Sequence, residues 1–304
     1  MPLFTVEPQK CVRCGTCVAA CPSGLLDKKE KDSCPTPIEQ AEQFCIHCGH
    51  CVSICPKGAL SLIDMKPEDC PTIIKELCKL SPEHVEQFLR FRRSIRNYKE
   101  TPVPKDILAR LIEIARYAPT GGNRQPVHWL VLDKPERFAA LVVDWMRIMV
   151  KQQPEFALPL QWDRVVSAWE QGINRITRGA PHLVIVHATK GERTAQPAST
   201  IALTNLALAA PAFNLGTCWS GYINTAASVY PPLGEALGLP SDHEPFGSMA
   251  IGFPKFAYHR LPLRKKRAHT RSRSASSPRS HCATAASKCR TTTRFSGWAK
   301  RLKR

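Results

Sequence analysis

Two stretches decide how this chain begins: Cys11-Val12-Arg13-Cys14-Gly15-Thr16-Cys17-Val18-Ala19-Ala20-Cys21-Pro22, and Cys45-Ile46-His47-Cys48-Gly49-His50-Cys51-Val52-Ser53-Ile54-Cys55-Pro56. Both read C-x2-C-x2-C-x3-C-P, so the first part of the chain is a duplicated unit. Three thiolates at that spacing wrap three corners of an iron–sulfur cubane, and the fourth reaches across to the other cluster. The proline then turns the chain away. On that logic Cys11, Cys14, Cys17 and Cys55 hold one [4Fe–4S] cluster, and Cys45, Cys48, Cys51 and Cys21 hold the other. Zinc is the competing reading of paired cysteines. It takes four ligands per ion, commonly as two separated pairs, and gains nothing from such a run followed by proline.

The segment resembles the bacterial two-cluster ferredoxins, with every ligand position filled. Cys34 in the spacer, with Cys70 and Cys78, makes too few ligands for a third cluster; these read as small buried or surface thiols. His47 and His50 fall between ligands and flank a cluster, since the cysteines already complete the set.

The composition agrees with metal ligation. The chain has 304 residues, 43% of them apolar, which is room for one mid-sized domain and a smaller one. Eleven of its fourteen cysteines fall within the first 78 residues. With no basic patch and apolar stretch after Met1 and Pro2, no secretory signal is expected, and the thiols fit a reducing cytoplasm. No apolar run reaches about 18 residues, so no membrane span is expected. The net charge of +18 is uneven: residues 268–304 hold ten Lys or Arg and no acid, which leaves about +8 for the rest. Nucleic-acid binding would rest on that tail, where Phe295 and Trp298 are the only aromatics and no recognition fold is evident, which argues against it.

Four parts follow. Residues 1–65 are the two-cluster domain, and 66–82 a connector with Pro67, Pro71 and Pro82 around the apolar segment Ile73 to Leu80. Residues 83–267 read as an α+β domain, and 268–304, Ser/Thr/Arg/Ala-rich and acid-free, as a disordered basic tail. In the α+β part, Val85, Phe88 and Leu89 sit at helical spacing. A second helix has Pro104 at its first position and Asp106 in its first turn; Ile107, Leu108, Leu111, Ile112 and Ala115 form its apolar face, and Pro119 ends it. Trp129–Leu132 and Leu183–His187 read as buried strands, with shorter ones near Cys218–Ser220 and Met249–Gly252. Ser199 reads as the cap of an Ala/Leu-rich helix that Pro211 kinks and Gly216 closes.

Four motifs in this part, in order, carry a second resemblance. They are Arg92-Arg93-Ser94-Ile95-Arg96, Ala118-Pro119-Thr120-Gly121-Gly122-Asn123-Arg124-Gln125-Pro126, Gly216-Thr217-Cys218-Trp219-Ser220-Gly221, and Gly252-Phe253-Pro254 followed by Leu261-Pro262-Leu263-Arg264-Lys265. Together they resemble the FMN-dependent nitroreductase family. The resemblance implies a central sheet flanked by helices, and a homodimer with FMN at the subunit interface. It implies that Arg92 and Ser94, with Arg264 or Lys265, hold the FMN phosphate, whose oxygens suit arginine forks and a hydroxyl. Arg93 joins the candidate flavin contacts. Arg96 matches the cation near the pyrimidine edge, where it would stabilise negative charge on reduction. Pro119, Thr120, Gly121 and Asn123 match the segment that reaches the flavin from the partner subunit. Cys218, Trp219, Ser220 and Gly221 match the loop beside the ring.

The whole reads as a cytoplasmic iron–sulfur flavoprotein. Electrons pass from two [4Fe–4S] clusters to FMN and on to a small electron-poor acceptor such as a nitro compound, quinone or activated alkene. No G-x-G-x-x-G opens a helix after a strand, which makes the clusters, fed by a low-potential donor, a more natural source than NAD(P)H without excluding the latter. The alternative is an electron relay to a protein partner without small-molecule turnover.

Overall fold

The apolar run at residues 183–186 forms the middle of the strand His182–Thr189, buried along nearly its whole length. In the computed structural model, which describes residues 2–265, this strand lies inside a four-stranded antiparallel sheet. The order is His128–Asp133, His182–Thr189, His243–Gly252, Gly216–Trp219. Successive side chains point to opposite faces of a strand. Leu183 and Ile185 therefore enter one core with Phe138, Val142, Met146, Trp162 and Ile223. Val184 and Val186 enter a second core with Leu111, Leu203, Leu206, Met249 and Ile251. Helices Glu136–Gln152, Trp162–Glu170 and Gly221–Val229 cover the first face; Lys105–Ala115 and Ala195–Ala209 cover the second. A sheet covered on both faces needs strands without polar alternation, which is why this run reads as continuous. Each fully buried Leu or Ile contributes about 1.5–3 kcal/mol.

Three details of the helices differ from the sequence reading. Ser199 does not cap a helix; it lies inside Ala195–Ala209, buried, with its hydroxyl unpartnered. The helix begins earlier because Pro197 falls in the first turn, where no intrahelical donor is needed. The Glu192 carboxylate accepts from Thr194 N at 2.9 Å and Thr194 Oγ1 at 2.8 Å, just ahead of that turn. Pro211 does not kink the helix, which stops at Ala209; the proline opens the short 3-10 turn Ala210–Phe213. Asn214, left-handed at φ 58°, reverses the chain, and Gly216 already belongs to the next strand. Pro104 caps the Lys105–Ala115 helix from outside, one position earlier than expected.

The N-terminal region is closed by pairing of Phe4–Val6 with Leu60–Leu62, in the register Thr5 to Ser61. Its core is Leu3, Phe4, Leu25, Leu26, Val52, Leu60 and Leu62, with Cys17 and Cys51. This region and the sheet domain belong to one unit that ends at Leu261. Pro262 to Lys265 follow as exposed chain without regular structure. The expectation of disorder over residues 268–304 lies outside the described residues. Between the two regions, Ser81 accepts from His84 N at 3.2 Å and starts the helix Pro82–Phe91. Val85, Phe88, Leu89 and Phe91 on that helix are exposed. Among the described residues no helix is long and apolar enough to cross a membrane.

Candidate functional site

The duplication in the sequence is a duplication of backbone. Arg13 and His47, third in each motif, are left-handed at φ 58° and 50°, and Gly15 and Gly49 follow at 74° and 70°. Each glycine leads into a short helix, Thr16–Ala20 or His50–Ser53. At Gly49 a Cβ would come within 2.5 Å of Met65 Sδ, so close packing adds to the conformational demand for glycine. Four residues past each final cysteine the chain bonds back to sulfur. Leu25 N donates to Cys21 Sγ at 3.3 Å and Ala59 N to Cys55 Sγ at 3.2 Å.

The eight thiols surround two spaces. Cys11, Cys14, Cys17 and Cys55 line one; Cys21, Cys45, Cys48 and Cys51 line the other. Each space takes three cysteines from one motif and the last from the other. Among the described residues, no three His, Cys, Asp or Glu side chains group as a single ion would need. That exchange of the last cysteine between two spaces is the ligand pattern of a pair of cubanes. Burial raises the Cys51 thiol to about 11 and also raises Cys17, Cys45 and Cys11. The Thr16 hydroxyl, donating at 3.1 Å, lowers Cys14. Buried thiols of this kind become thiolates when a metal supplies the compensating charge. Cys34 stands beside Cys11, and its proximity helps raise that thiol. Cys70 donates to Lys66 O at 3.4 Å, and Cys78 is exposed.

The second set of residues is organised by the edge strand Gly216–Trp219. Ser94 bridges in parallel to Thr217, and Ile95 N donates to Thr217 O at 2.9 Å. On the other side Lys99 N donates to Phe253 O at 2.8 Å, and Lys255 N to Asn97 O at 3.0 Å. Buried Tyr98 donates to Ile95 O at 2.8 Å, and its burial pushes the phenol well above its ordinary value. Segment 92–99 is therefore fixed from both flanks. Two hollows open beside it.

Arg92, Arg93, Lys99, Thr217, Lys255 and Tyr258 are among the residues lining a hollow of about 510 Å³. Arg96, Cys218, Trp219, Ser220 and Gly221 line another of about 470 Å³, with Arg175 and Arg178. Trp219 is 44% exposed, so it is a wall of the hollow and not core. The motif arginines are thus divided between two neighbouring recesses, both rich in cations and able to accept an anionic, planar ligand. Arg175, Arg178, Lys99 and Lys255 were not legible as site residues. The two arginines belong to the stretch 151–179, which carries no recognisable charged motif, and only the fold brings them to Arg96.

Pro119, Thr120, Gly121 and Asn123 line neither hollow. Thr120 Oγ1 accepts from Gln125 N at 3.0 Å, and Gly121 packs where a Cβ would meet Thr194 Cγ2 at 2.8 Å. The Asn123 amide donates to Ile46 O and His47 O, each at 3.0 Å, on the second cysteine loop. Arg264 and Lys265 lie past Leu261 and are exposed.

Comparison with known proteins follows the same division. Residues 10–59 match the 4Fe-4S dicluster domain, and residues 89–253, more than half of the chain, match the nitroreductase family. A Bacillus subtilis protein, YfhC, whose name is that of an NAD(P)H nitroreductase, is 26% identical over 194 residues, covering 62% of this chain and 92% of its own. A Methanothermobacter thermautotrophicus protein, named for NADH dehydrogenase or NAD(P)H nitroreductase activity, is 23% identical over 58% of this chain and 80% of its own. The crystal structure of a nitroreductase with bound FMN from Desulfitobacterium hafniense shares 22% identity over 62% of this chain and 96% of that one, with a TM-score of 0.49. This chain belongs to the nitroreductase family and carries a 4Fe-4S dicluster domain ahead of its nitroreductase domain.

Proposed function

We propose that the chain is an FMN-dependent iron–sulfur oxidoreductase that delivers electrons to a small electron-poor acceptor. The observation that carries this is the joining, in one chain, of two four-cysteine sites to a nitroreductase domain with cation-lined hollows. When bound, the clusters supply single electrons at low potential, and FMN gathers two of them and delivers a pair. The residues supply binding, orientation and tuning. Cys11, Cys14, Cys17 and Cys55 would hold one cluster, and Cys21, Cys45, Cys48 and Cys51 the other. Arg92 and Ser94 would hold the FMN phosphate, and Arg93 would be among the other flavin contacts. Arg96 would set a positive charge at the pyrimidine edge, and Cys218 to Gly221 would run along the ring. Pro119, Thr120, Gly121 and the backbone of Asn123 would come from a second copy of the chain, the Asn123 side-chain amide being engaged by Ile46 O and His47 O of its own chain. The exposed apolar residues of the Pro82–Phe91 helix likewise suit a homodimer. We also propose the division into residues 1–65, 66–82, 83–267 and 268–304, and, from the thiol-rich first region, a reducing, cytoplasmic setting.

The open hollow beside Arg96 and Trp219 favours turnover of a small molecule over a sealed relay. The test is reoxidation. Anaerobically reduced holoprotein is mixed with a nitroaromatic, a quinone or an activated alkene, and flavin absorbance is followed. Return of the oxidised spectrum with stoichiometric product is expected. Failure of all three classes, with reoxidation by a redox protein alone, would replace the enzyme by a relay.

A further inference from the structure

The two cysteine loops repeat one backbone, so each provides a control for the other. Residues 13 and 47 hold equivalent motif positions, both left-handed, and the carbonyl of each accepts a hydrogen bond from a side chain outside its motif. The partners of those carbonyls differ. Arg13 O accepts from Lys28 Nζ at 2.7 Å, within the same small domain. His47 O and the neighbouring Ile46 O accept from Asn123 Nδ2, a residue of the nitroreductase domain.

The donor is well suited to this contact. A side-chain amide nitrogen carries two hydrogens, and Asn123 directs both to adjacent carbonyls of one loop. Its oxygen is engaged elsewhere, accepting from Gln125 Nε2 at 3.3 Å, which fixes the amide's orientation. Asn123 is itself left-handed at φ 54°, a conformation asparagine tolerates better than most residues, and it follows Gly122 at φ 59°. Two bonds to consecutive carbonyls fix the angle as well as the position of the loop. On its other side His47 Nδ1 pairs with Asp64 Oδ2 at 2.8 Å. The first loop has no such tie to the second domain among the hydrogen bonds of the described residues.

We propose that Asn123 is a positioning residue that docks the second cysteine loop on the nitroreductase domain. The site ringed by Cys21, Cys45, Cys48 and Cys51 is then the inner one, from which electrons leave for the flavin. The site ringed by Cys11, Cys14, Cys17 and Cys55 is the outer one, which meets the external donor. This rests on the proposed function, namely that electrons pass from clusters to FMN. For each handover the inner site loses one electron and the flavin gains one. Two handovers, with protons from water, complete the flavin's reduction, and a low-potential one-electron reductant replenishes the clusters. A tether alone keeps the two domains at high effective concentration. Asn123 adds the choice of which face is presented, as orientation does in other transfer reactions.

The experiment compares the full-length holoprotein with Asn123→Asp, which keeps the size but turns a carboxylate on two carbonyls. Hydrogen exchange is read first. Amides 46–49 are expected to exchange at least tenfold faster in the variant, with amides 12–15 unchanged. Anaerobic rapid mixing with dithionite is read second, as the rate of flavin reduction per bound FMN after the clusters have bleached. It is expected to fall at least tenfold, with cluster bleaching itself unaltered. Asn123→Gln, which retains both donors on a longer arm, is expected to recover part of the loss. It also serves as the second variant should Asn123→Asp not fold. Exchange that changes in both loops or in neither overturns the docking. Wild-type transfer that both variants leave intact overturns the inner-site assignment alone, whereas a wild-type chain with no cluster-to-flavin transfer overturns the proposed function itself.

Discussion

Replacing Gly216 by alanine tests how the arginine segment is held against the sheet. A Cβ at this position would stand 2.3 Å from Ile95 Cγ1, 2.8 Å from Ile95 Cβ and 3.0 Å from Pro254 Cγ. A change of rotamer moves Ile95 Cγ1 away but leaves its Cβ, whose place is set by the backbone. Relief therefore requires segment 92–96 to back off from the strand Gly216–Trp219, stretching the 2.9 Å bond from Ile95 N to Thr217 O. Overpacking of this kind costs about 1–3 kcal/mol, and loss of the hydrogen bond about 1 kcal/mol more. The expected destabilisation is thus about 2–4 kcal/mol, read as a lower urea midpoint at unchanged slope. Because Arg92 and Arg96 travel with Ile95, FMN affinity, titrated by flavin fluorescence, should fall with it. Ile95→Ala removes Cγ1 but not Cβ, so the double variant should recover only part of the loss. The cycle should show a coupling of about 0.5–3 kcal/mol, as for residues in contact. A Gly216→Ala protein with wild-type midpoint and wild-type FMN affinity would refute the close approach.

Other measurements address the sites separately. Anaerobically purified chain should carry about eight iron and eight sulfide, as two cubanes require, and one or two zinc without iron would remove the cluster reading. Arg92→Ala should weaken FMN binding by about 1.5–3 kcal/mol in a titration, the range for bonds to a charged group. Arg96→Ala should lower the flavin potential, and a potential left unchanged would displace Arg96 from the ring. His187 is held neutral by burial and by its neighbours His243 and His128, which lower it from its ordinary 6.5 to about 4. The unfolded chain then binds the extra proton between those values, so this contribution to stability is whole above about pH 6.5 and is lost as pH falls towards 4. His187→Gln should flatten that part of the stability–pH curve; an unaltered curve would assign the acid sensitivity elsewhere.

The cysteine region was legible because cluster ligation writes itself locally: four thiols, fixed spacing, a glycine where the backbone turns left-handed, a proline after the last ligand. The sheet was legible where burial on both faces gave continuous apolar text, as at Leu183–Val186. Helix ends were less so. Ser199 is a good cap by type, but Pro197 sits comfortably in a first turn, and the Glu192 carboxylate meets Thr194 from outside the helix. Gly216 has the composition of a helix terminator, yet its lack of a Cβ serves close packing on Ile95. The cations Arg175 and Arg178 carry no signal in the sequence because their relation to Arg96 is purely tertiary. Asn123 carries two signals at once, a motif position and a hydrogen bond to a loop 76 residues earlier, and only the first is written in the sequence.

The central claim, that electrons enter through the cysteine sites, is tested most directly by rapid mixing of the anaerobic holoprotein with a low-potential reductant, with the clusters and the flavin followed at separate wavelengths. Cluster potentials of the two-cluster ferredoxin kind lie toward the low end of a range of about −700 to +450 mV, below most flavins, so transfer runs downhill to FMN. Cluster absorbance should bleach first and flavin absorbance second. Cys-to-Ser variants that lose a cluster should retain FMN but lose the second phase. Flavin that bleaches first, and at the same rate in variants lacking a cluster, would contradict the account.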